Sequence, residues 1–192
     1  MEPLEERLAK LLSRRTRKKL TLDGYEKAAV LILLYMKNCD YYIVLTKRTE
    51  TVESHKGQIS LPGGRFMDED KTLEYTALRE CFEEVGINPA DVRILGMLDD
   101  DKTLTSNYIV TPIIGFIPYT PRFKKNSLEV EEILELPISV LKPENFQLEV
   151  YNYKGEEYLT YTLKYGENII WGLTGRILKN FAEILSKIKK ET

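Results

Sequence analysis

The chain has 192 residues, which is enough for one domain with a sizeable core and leaves little room for a second. The net charge of −2 gives no general reason to expect nucleic-acid binding, and no apolar run approaches the roughly 20 residues that a membrane-spanning helix needs. Two cysteines without CxxC spacing exclude a disulfide framework. We therefore expect a cytoplasmic globular protein without a nucleic-acid or membrane partner, and a homodimer is a compatible oligomeric state.

The first 23 residues are predicted to be an N-terminal helical extension that precedes a main domain at 24–192. A helix is expected over 4–20, and its apolar positions share one stripe: Leu4, Leu8, Leu11 and Leu12. The basic run RRTRKK at 14–19 suits an anionic partner, but a solvated basic face is the simpler interpretation.

Two continuous apolar segments follow, AAVLILLY at 28–35 and YYIVLTKR at 41–48. The intervening MKNCD is typical of a turn, so the pair predicts a hairpin of buried strands. Residues 49–72 are rich in glycine, proline and acidic residues, which indicates a loop, with the short strand QISL inside it.

A helix is predicted from Thr72 to Val85, ended by Gly86. Its apolar face repeats every four residues: Leu73, Ala77, Cys81 and Val85. Strand-like stretches then occupy 92–98, 107–117 and 147–165, and a final amphipathic helix is expected over 168–190. Strands and helices without regular βαβ alternation favour an α/β fold with a mixed β-sheet between helices.

Aromatic residues near the C-terminus are expected to be structural. The tyrosines between 151 and 165 indicate strand faces rather than a platform for stacking nucleobases. Trp171 and Phe181 are predicted to be core residues of the last helix.

The stretch PGGRFMDEDKTLEYTALRECFEEVGI at 62–87 carries the chemistry. Glu80, Glu83 and Glu84 are spaced i, i+3 and i+4, so all three carboxylates fall on one helix face. Acidic triplets are usually solvated surface, but here Arg79 is adjacent and a glycine pair precedes the helix. Hard oxygen ligands suit Mg²⁺ or Mn²⁺, and the guanidinium of Arg79 can orient a carboxylate through a bidentate pair.

These residues resemble the Nudix hydrolase signature G-x5-E-x7-R-E-U-x-E-E-x-G-U, in which U is apolar. Gly64 matches its first glycine, and its second half is matched by Arg79, Glu80, Cys81, Glu83, Glu84, Gly86 and Ile87. Two differences occur at Asp70, which replaces the first glutamate and is separated from Arg79 by eight residues instead of seven. The resemblance implies a Nudix α/β/α sandwich.

The preceding block is similar to L-L-T-x-R-S-x3-R-x3-G-x3-F-P-G-G, the signature of the coenzyme A pyrophosphatases. Its matches are Leu45, Thr46, Arg48, Gly57, Pro62, Gly63 and Gly64, whereas Glu53 stands where the signature has arginine. Later stretches at 106–118, 129–137 and 169–178 also look like this subfamily, so the resemblance covers about 28–180.

The resemblance implies metal-dependent cleavage of coenzyme A to 3′,5′-ADP and 4′-phosphopantetheine. Glu80, Glu83, Glu84 and the Gly63 carbonyl are the predicted ligands of Mg²⁺ or Mn²⁺. The predicted catalytic residues are Glu83, Glu84 and Arg79, with Glu83 as the first candidate for general base. The alternative bases are on a later segment: Glu129, Glu131 and Glu132. The predicted substrate-binding residues are Arg48, His55, Lys56 and Gly64.

Three alternatives stay open at the level of sequence. A Nudix enzyme with the same signature helix could act on ADP-ribose, a dinucleoside polyphosphate or a nucleoside triphosphate. A non-catalytic nucleotide-binding module could keep the fold, although all three glutamates of the signature are present. A nucleic-acid binder that uses residues 14–19 is opposed by the acidic remainder of the chain.

Overall fold

A computed structural model describes residues 2–49, 57–153 and 155–190. Its helices are α1 (Leu4–Arg14), α2 (Leu73–Val85) and α3 (Gly172–Lys190). Its strands are β1 (Glu26–Lys37), β2 (Asp40–Arg48), β3 (Ile59–Ser60), β4 (Gly63–Arg65), β5 (Arg93–Met97), β6 (Asp101–Lys102), β7 (Tyr108–Ile117), β8 (Val130–Pro137), β9 (Phe146–Tyr153), β10 (Glu156–Tyr165) and β11 (Asn168–Ile170). Short 3₁₀ turns lie at Asp68–Asp70, Pro89–Asp91, Ile138–Val140 and Pro143–Asn145.

The larger sheet has the order β3-β2-β1-β7-β5, with β4 paired to β1, β6 to β7 and β8 to β2. Strands β1 and β7 are parallel, whereas the other pairs are antiparallel. The predicted mixed sheet between helices is therefore confirmed. A second, antiparallel sheet has the order β11-β10-β9.

Strand β1 is buried on both faces, which explains its unbroken apolar sequence. Ile32 and Leu34 point into the core that contains α1 and α3, whereas Leu31 and Leu33 point into the core beneath α2. The predicted hairpin turn is also confirmed, because Asn38 and Cys39 both have positive φ between β1 and β2, as a tight hairpin requires.

The N-terminal helix is shorter than predicted. Helix α1 ends at Arg14 rather than at residue 20, although its leucine stripe is confirmed by burial of Leu8 and Leu12. Residues 15–20, here called the strap, run past the segment after β5. Ion pairs with Asp99 and Asp100 hold the strap and compete successfully with continued helix.

The solvated-face interpretation of the basic run is confirmed for Arg14, Lys18 and Lys19, which are exposed, but not for Arg15 and Arg17. The Arg15 guanidinium pairs with Asp99, and the Arg17 guanidinium pairs with Asp100. The backbone N–H of Lys18 donates to Asp99 over 2.6 Å, and that of Leu20 donates to Asp100 over 2.9 Å. The anionic partner of this run is thus a segment of the same chain.

The C-terminal predictions also need adjustment. The stretch 147–165 forms two strands, β9 and β10, and residues 168–170 form β11 instead of the start of the last helix. Pairing with β10 satisfies the backbone of these residues, so helix α3 begins at Gly172. Strand β8 was not predicted. No helix among the described residues is both long and apolar enough to cross a membrane.

Candidate functional site

Helix α2 is a rigid support for the three predicted glutamates. The Thr72 hydroxyl accepts a hydrogen bond from the Tyr75 N–H over 3.2 Å, which caps the first turn. Gly86 ends the helix in the left-handed conformation, with φ of 76°. Ala77, Cys81 and Val85 are buried beneath the sheet, as predicted, so the opposite face is fixed in direction.

Arg79 is anchored by Asp70. Its Nε and Nη2 donate to the two carboxylate oxygens of Asp70 over 2.7 and 2.9 Å, which is the bidentate geometry. The Met67 N–H and the Thr76 hydroxyl also donate to Asp70, both over 2.9 Å. The Arg79 guanidinium, aided by these two donors, lowers the pKa of Asp70 to about 2, so this acid is charged at neutral pH. Asp70 therefore positions Arg79 despite its departure from the signature.

The remaining amino group of Arg79 reaches two of the glutamates. Nη1 donates to Glu80 over 2.8 Å and to Glu83 over 3.2 Å, and Nη2 donates to the Arg65 carbonyl over 3.1 Å. One guanidinium is thus shared among three carboxylates, and it links helix α2 to strand β4. The Glu83 side chain stays 51% exposed, on the rim of the site.

Glu84 is nearly fully buried, at 3% exposure. Its carboxylate accepts from the Thr46 hydroxyl over 3.3 Å and from the Gly63 N–H. Loss of water on burial, followed by repulsion from Glu80, raises the pKa of Glu84 to about 8, against the smaller opposing effects of Arg48, Thr46 and Gly63. Such a shift is typical of a functional carboxylate.

Glu80, like Glu84, has a raised pKa. Burial raises its pKa, and the charges of Glu83 and Glu129 add to the effect, although Arg79 opposes it. The site therefore holds more negative charge than its own residues neutralise, and a divalent cation would relieve this excess.

The predicted metal site fits such a cation by its chemistry. All donors are hard oxygens on one side of α2, and this is the ligand type that Mg²⁺ and Mn²⁺ prefer. Within residues 2–49, 57–153 and 155–190, no three acidic, histidine or cysteine side chains are already gathered as a ligand group. Instead, Arg79 holds Glu80 and Glu83.

The glycine pair lets strand β4 approach both β1 and α2. A Cβ atom on Gly64 would lie 2.4 Å from an oxygen of Glu80, and one on Gly63 would lie 2.4 Å from the Ala29 carbonyl. Both contacts are far below van der Waals distance, so a side chain at Gly63 would clash with backbone and one at Gly64 would displace the Glu80 carboxylate. The pair thus brings backbone atoms next to the carboxylates of α2.

Arg48 ends strand β2 at an irregularity in its pairing with β8. Its backbone N–H donates to the Gln58 carbonyl over 3.0 Å, and its charge acts on Glu84. The side-chain Nε is buried without a hydrogen-bond partner among the residues that the structure describes. A buried guanidinium N–H without a partner favours an anionic ligand.

A cavity of about 520 Å³ joins several of these groups. Three predicted residues line one side of it: Arg48, Gly63 and Gly64. His55 and Lys56, also predicted to bind substrate, lie outside the described residues, so the structure does not place them. The volume is that of a pocket for a small molecule.

The other wall of the cavity was missed by sequence reasoning. It includes Tyr151 on β9 and Trp171, whose ring centroids lie 5.7 Å apart. Trp171 precedes α3 and is half-buried, which corrects its assignment as a core residue of the last helix, whereas Phe181 is fully buried as predicted. The tyrosines do lie on strands, as expected, but the alternation of β9 turns Tyr151 toward the cavity. The sequence signal for this placement was Gly172, which follows Trp171 and marks the point where helix α3 begins.

The alternative bases are also distinguished by the structure. The negative charge of Glu129 contributes to the raised pKa of Glu80, so Glu129 lies close enough to Glu80 to act on it. A carboxylate oxygen of Glu131 is 3.6 Å from Nζ of Lys47, and Glu132 is an exposed residue of β8.

Comparisons with known proteins agree with this architecture. The sequence model of the NUDIX domain matches residues 25–150. "Nudix hydrolase 22, chloroplastic" from Arabidopsis thaliana is 35% identical over 190 residues, which cover 88% of this chain and 62% of that protein. "Uncharacterized Nudix hydrolase NudL" from Photorhabdus laumondii is 36% identical over 166 residues, which cover 84% of this chain and 86% of that protein. The chain thus spans less than two thirds of the plant relative.

Solved structures confirm the predicted fold. A MutT/nudix family protein from Enterococcus faecalis has a TM-score of 0.56 at 14% identity and covers 96% of this chain and 70% of its own. A C. elegans Ap4A hydrolase in a binary complex has a TM-score of 0.53 at 14% identity and covers 84% and 98%. At such identities the likeness concerns the fold alone.

Proposed function

Because the chain belongs to the Nudix hydrolase family, we propose that it hydrolyses the pyrophosphate linkage of a nucleoside diphosphate derivative, with coenzyme A as its preferred substrate. The observation that carries the proposal is the meeting of two chemistries in one place. Glu84 is an acid with a raised pKa, and the neighbouring Arg48 has a buried N–H without a partner among the described residues. An anion with an associated cation would satisfy both.

The preference for coenzyme A rests on the block at 44–64. This block contributes Arg48, Gly63 and Gly64 to the lining of the cavity. Coenzyme A carries a 3′-phosphate in addition to its pyrophosphate, so a cationic group beyond Arg79 is chemically appropriate. Glu53, the position where the subfamily signature has arginine, lies outside the described residues.

The proposed ligands of Mg²⁺ or Mn²⁺ are Glu80, Glu83, Glu84 and the Gly63 carbonyl. When bound, such a cation neutralises a pyrophosphate and lowers the pKa of a water molecule. Arg79 orients Glu80 and Glu83 through its Nη1, and Asp70 keeps the guanidinium in place. Arg48 stabilises charge that develops on the phosphate oxygens.

Glu83 is the proposed general base, because it is held by Arg79 while half of its side chain remains exposed to solvent. It accepts a proton from the attacking water as the new phosphorus–oxygen bond forms. The bridging oxygen then leaves with the other phosphate, and the products are 3′,5′-ADP and 4′-phosphopantetheine. Glu129, on the side of Glu80, is the alternative base.

The test is an incubation of the protein with coenzyme A and Mg²⁺ or Mn²⁺, followed by separation of the products. Parallel reactions contain ADP-ribose, a dinucleoside polyphosphate and ATP, and a chelator provides the control without metal. We expect metal-dependent 3′,5′-ADP and 4′-phosphopantetheine, formed faster than any product of the other substrates.

Two results would contradict the proposal at different levels. Faster metal-dependent turnover of ADP-ribose or another substrate would keep the chemistry and overturn the preference for coenzyme A. No turnover of any substrate would overturn hydrolysis and favour a nucleotide-binding module.

A further inference from the structure

The cavity has two chemically different walls. Arg48 and the glycine pair supply a cation and closely approaching backbone on one side. Trp171 and Tyr151 supply aromatic rings on the other, inclined by 46° to each other. The phosphate chemistry of the first wall does not explain why two rings line the second.

Trp171 is held in place by the start of helix α3. Its carbonyl accepts from the Gly175 N–H over 3.2 Å, and Gly172 has a φ of 64° that turns the chain into the helix. A Cβ atom on Gly175 would lie 2.0 Å from the Tyr161 carbonyl, so this first turn is pressed against β10. Gly172 and Gly175 therefore determine the position of the Trp171 backbone, from which the indole extends.

A second connection holds α3 against strand β6. Arg176 donates to the Asp101 carboxylate over 2.8 and 3.2 Å, and to the Lys102 carbonyl over 2.7 Å. Residues 103–106, which follow directly, line the cavity beside the rings. Ser106 is half-buried in this lining, and its hydroxyl can donate to or accept from a polar edge of a ligand.

An aromatic pair that lines the same cavity as a hydroxyl suits a flat heteroaromatic ring. Base–aromatic stacking needs only a π-face, and a hydroxyl can donate to or accept from the nitrogens at a base edge. A flexible aliphatic amide chain would gain less from two ring faces. The wall thus has the chemistry of a nucleobase subsite.

We propose that Trp171 and Tyr151 form a stacking platform for the purine base of the substrate, and that Trp171 determines preference for the nucleotide half. This inference rests on the proposed function for the identity of the substrate, but its binding test does not require hydrolysis. The base lies on the aromatic wall, and the phosphates extend toward Arg48 and the glycine pair.

Trp171 is the single tryptophan of the chain, so its fluorescence reports on the proposed platform directly. The full chain is titrated in chelator with the two halves of coenzyme A, 3′,5′-ADP and 4′-phosphopantetheine, and with inorganic pyrophosphate. We expect saturable quenching by 3′,5′-ADP and none by the other two compounds. Quenching by 4′-phosphopantetheine instead would overturn the assignment of the base.

Variants measure the contribution of the ring. Trp171→Ala should weaken calorimetric binding of 3′,5′-ADP about tenfold, and Trp171→Phe should weaken it less because a ring remains. Tyr75→Ala, which removes an exposed tyrosine outside the cavity lining, is the matched control and should bind as wild type does. Thermal melting identifies any variant that fails to fold, and Trp171→Phe then carries the comparison.

The two proposals fail separately. An unchanged KM for coenzyme A and unchanged 3′,5′-ADP binding in Trp171→Ala would overturn the platform while hydrolysis stands. Tryptophan-dependent binding of 3′,5′-ADP by a protein that hydrolyses nothing would support the platform and overturn the enzyme.

Discussion

Two of the acidic clusters among the described residues, one after β5 and one on α2, are neutralised differently. The aspartate run, Asp99 to Asp101, is matched by one arginine for each acid: Arg15, Arg17 and Arg176. The acidic triad of α2, formed by Glu80, Glu83 and Glu84, has one ion-paired arginine among the described residues, Arg79, which Asp70 already engages. Glu84 makes no ion pair with a described residue.

The difference separates a structural cluster from a chemical one. Acids that each have a cation and backbone donors connect segments of the fold, as the aspartate run does for the strap, the sheet and α3. Acids buried with too few cations cost stability, and they persist where a bound ion or substrate completes the charge balance. Amide replacements should therefore act oppositely in the two clusters.

The largest expected effect is loss of activity in Glu84→Gln. We expect kcat for coenzyme A to fall about 100- to 10,000-fold, the range found for groups that act directly in proton transfer or charge stabilisation. Stability should not fall, because burial raises the pKa of Glu84 from its ordinary value of 4.5 to about 8. Ionisation of this carboxyl therefore lowers the stability of the fold as the pH rises from 4.5 to 8, and glutamine cannot ionise. Steady-state kinetics and melting in chelator at pH 8 measure the two effects.

Glu74→Gln, in the first turn of the same helix, is the control and should keep both properties. Near-normal turnover in Glu84→Gln would remove the acidic triad from the reaction.

The next largest effect is loss of stability in Asp100→Asn. Asp100 is bound by Arg17, by the Leu20 N–H over 2.9 Å and by the Thr111 hydroxyl over 2.6 Å. Removing the charge of Asp100 leaves the mostly buried Arg17 unpaired, which should lower the free energy of unfolding by about 3 kcal/mol. Urea denaturation measures this loss, and kcat should stay close to that of wild type.

The exposed residue Asp23 provides the control, since Asp23→Asn should leave the unfolding curve unchanged. If Asp100→Asn lost activity while keeping its stability, the aspartate run would belong to the functional site.

The smallest effect concerns Asp70, which lies beside the acidic triad but is paired as fully as the aspartate run. Because Arg79 lowers the pKa of Asp70 from 3.8 to about 2, this charge stabilises the fold above pH 4 and ceases to do so as pH falls toward 2. Asp70→Asn should therefore lower the free energy of unfolding by about 2 kcal/mol at pH 7.

Denaturation curves at a series of pH values test this sign. The two proteins should become equally stable as pH falls from 4 to 2, since a protonated Asp70 resembles asparagine. A difference that stayed constant over that range would show that the charge of Asp70 is not the cause.

Much of the site could be predicted because its spacing is local. The i, i+3, i+4 positions of Glu80, Glu83 and Glu84 determine a common helix face whatever the rest of the chain does. The glycine pair predicted that the backbone comes close to other groups. In the structure, a Glu80 carboxylate oxygen and the Ala29 carbonyl oxygen lie where Cβ atoms would be. The function of Asp70 could not be predicted, because its pairing with Arg79 depends on a 3₁₀ turn that brings the two together.

Other parts depended on contacts between distant segments. The basic run at 14–19 has the composition of a solvated surface, and only its position beside Asp99 and Asp100 makes it a strap. Trp171 fits the apolar pattern of the last helix. Because residues 168–170 pair with β10 as strand β11, however, the helix begins only after Trp171, and the indole lines the cavity.

The sequence by itself determined the buried strands, the rigid helix α2 and the face that carries the acidic triad, because these follow from periodicities of two and 3.6 residues within a segment. Only the tertiary structure decided which acids are neutralised, how deeply Glu84 is buried and which rings face the cavity. Charge balance and burial depend on what lies across from a residue in space, and residues separated by about 80 positions in the chain meet only after folding.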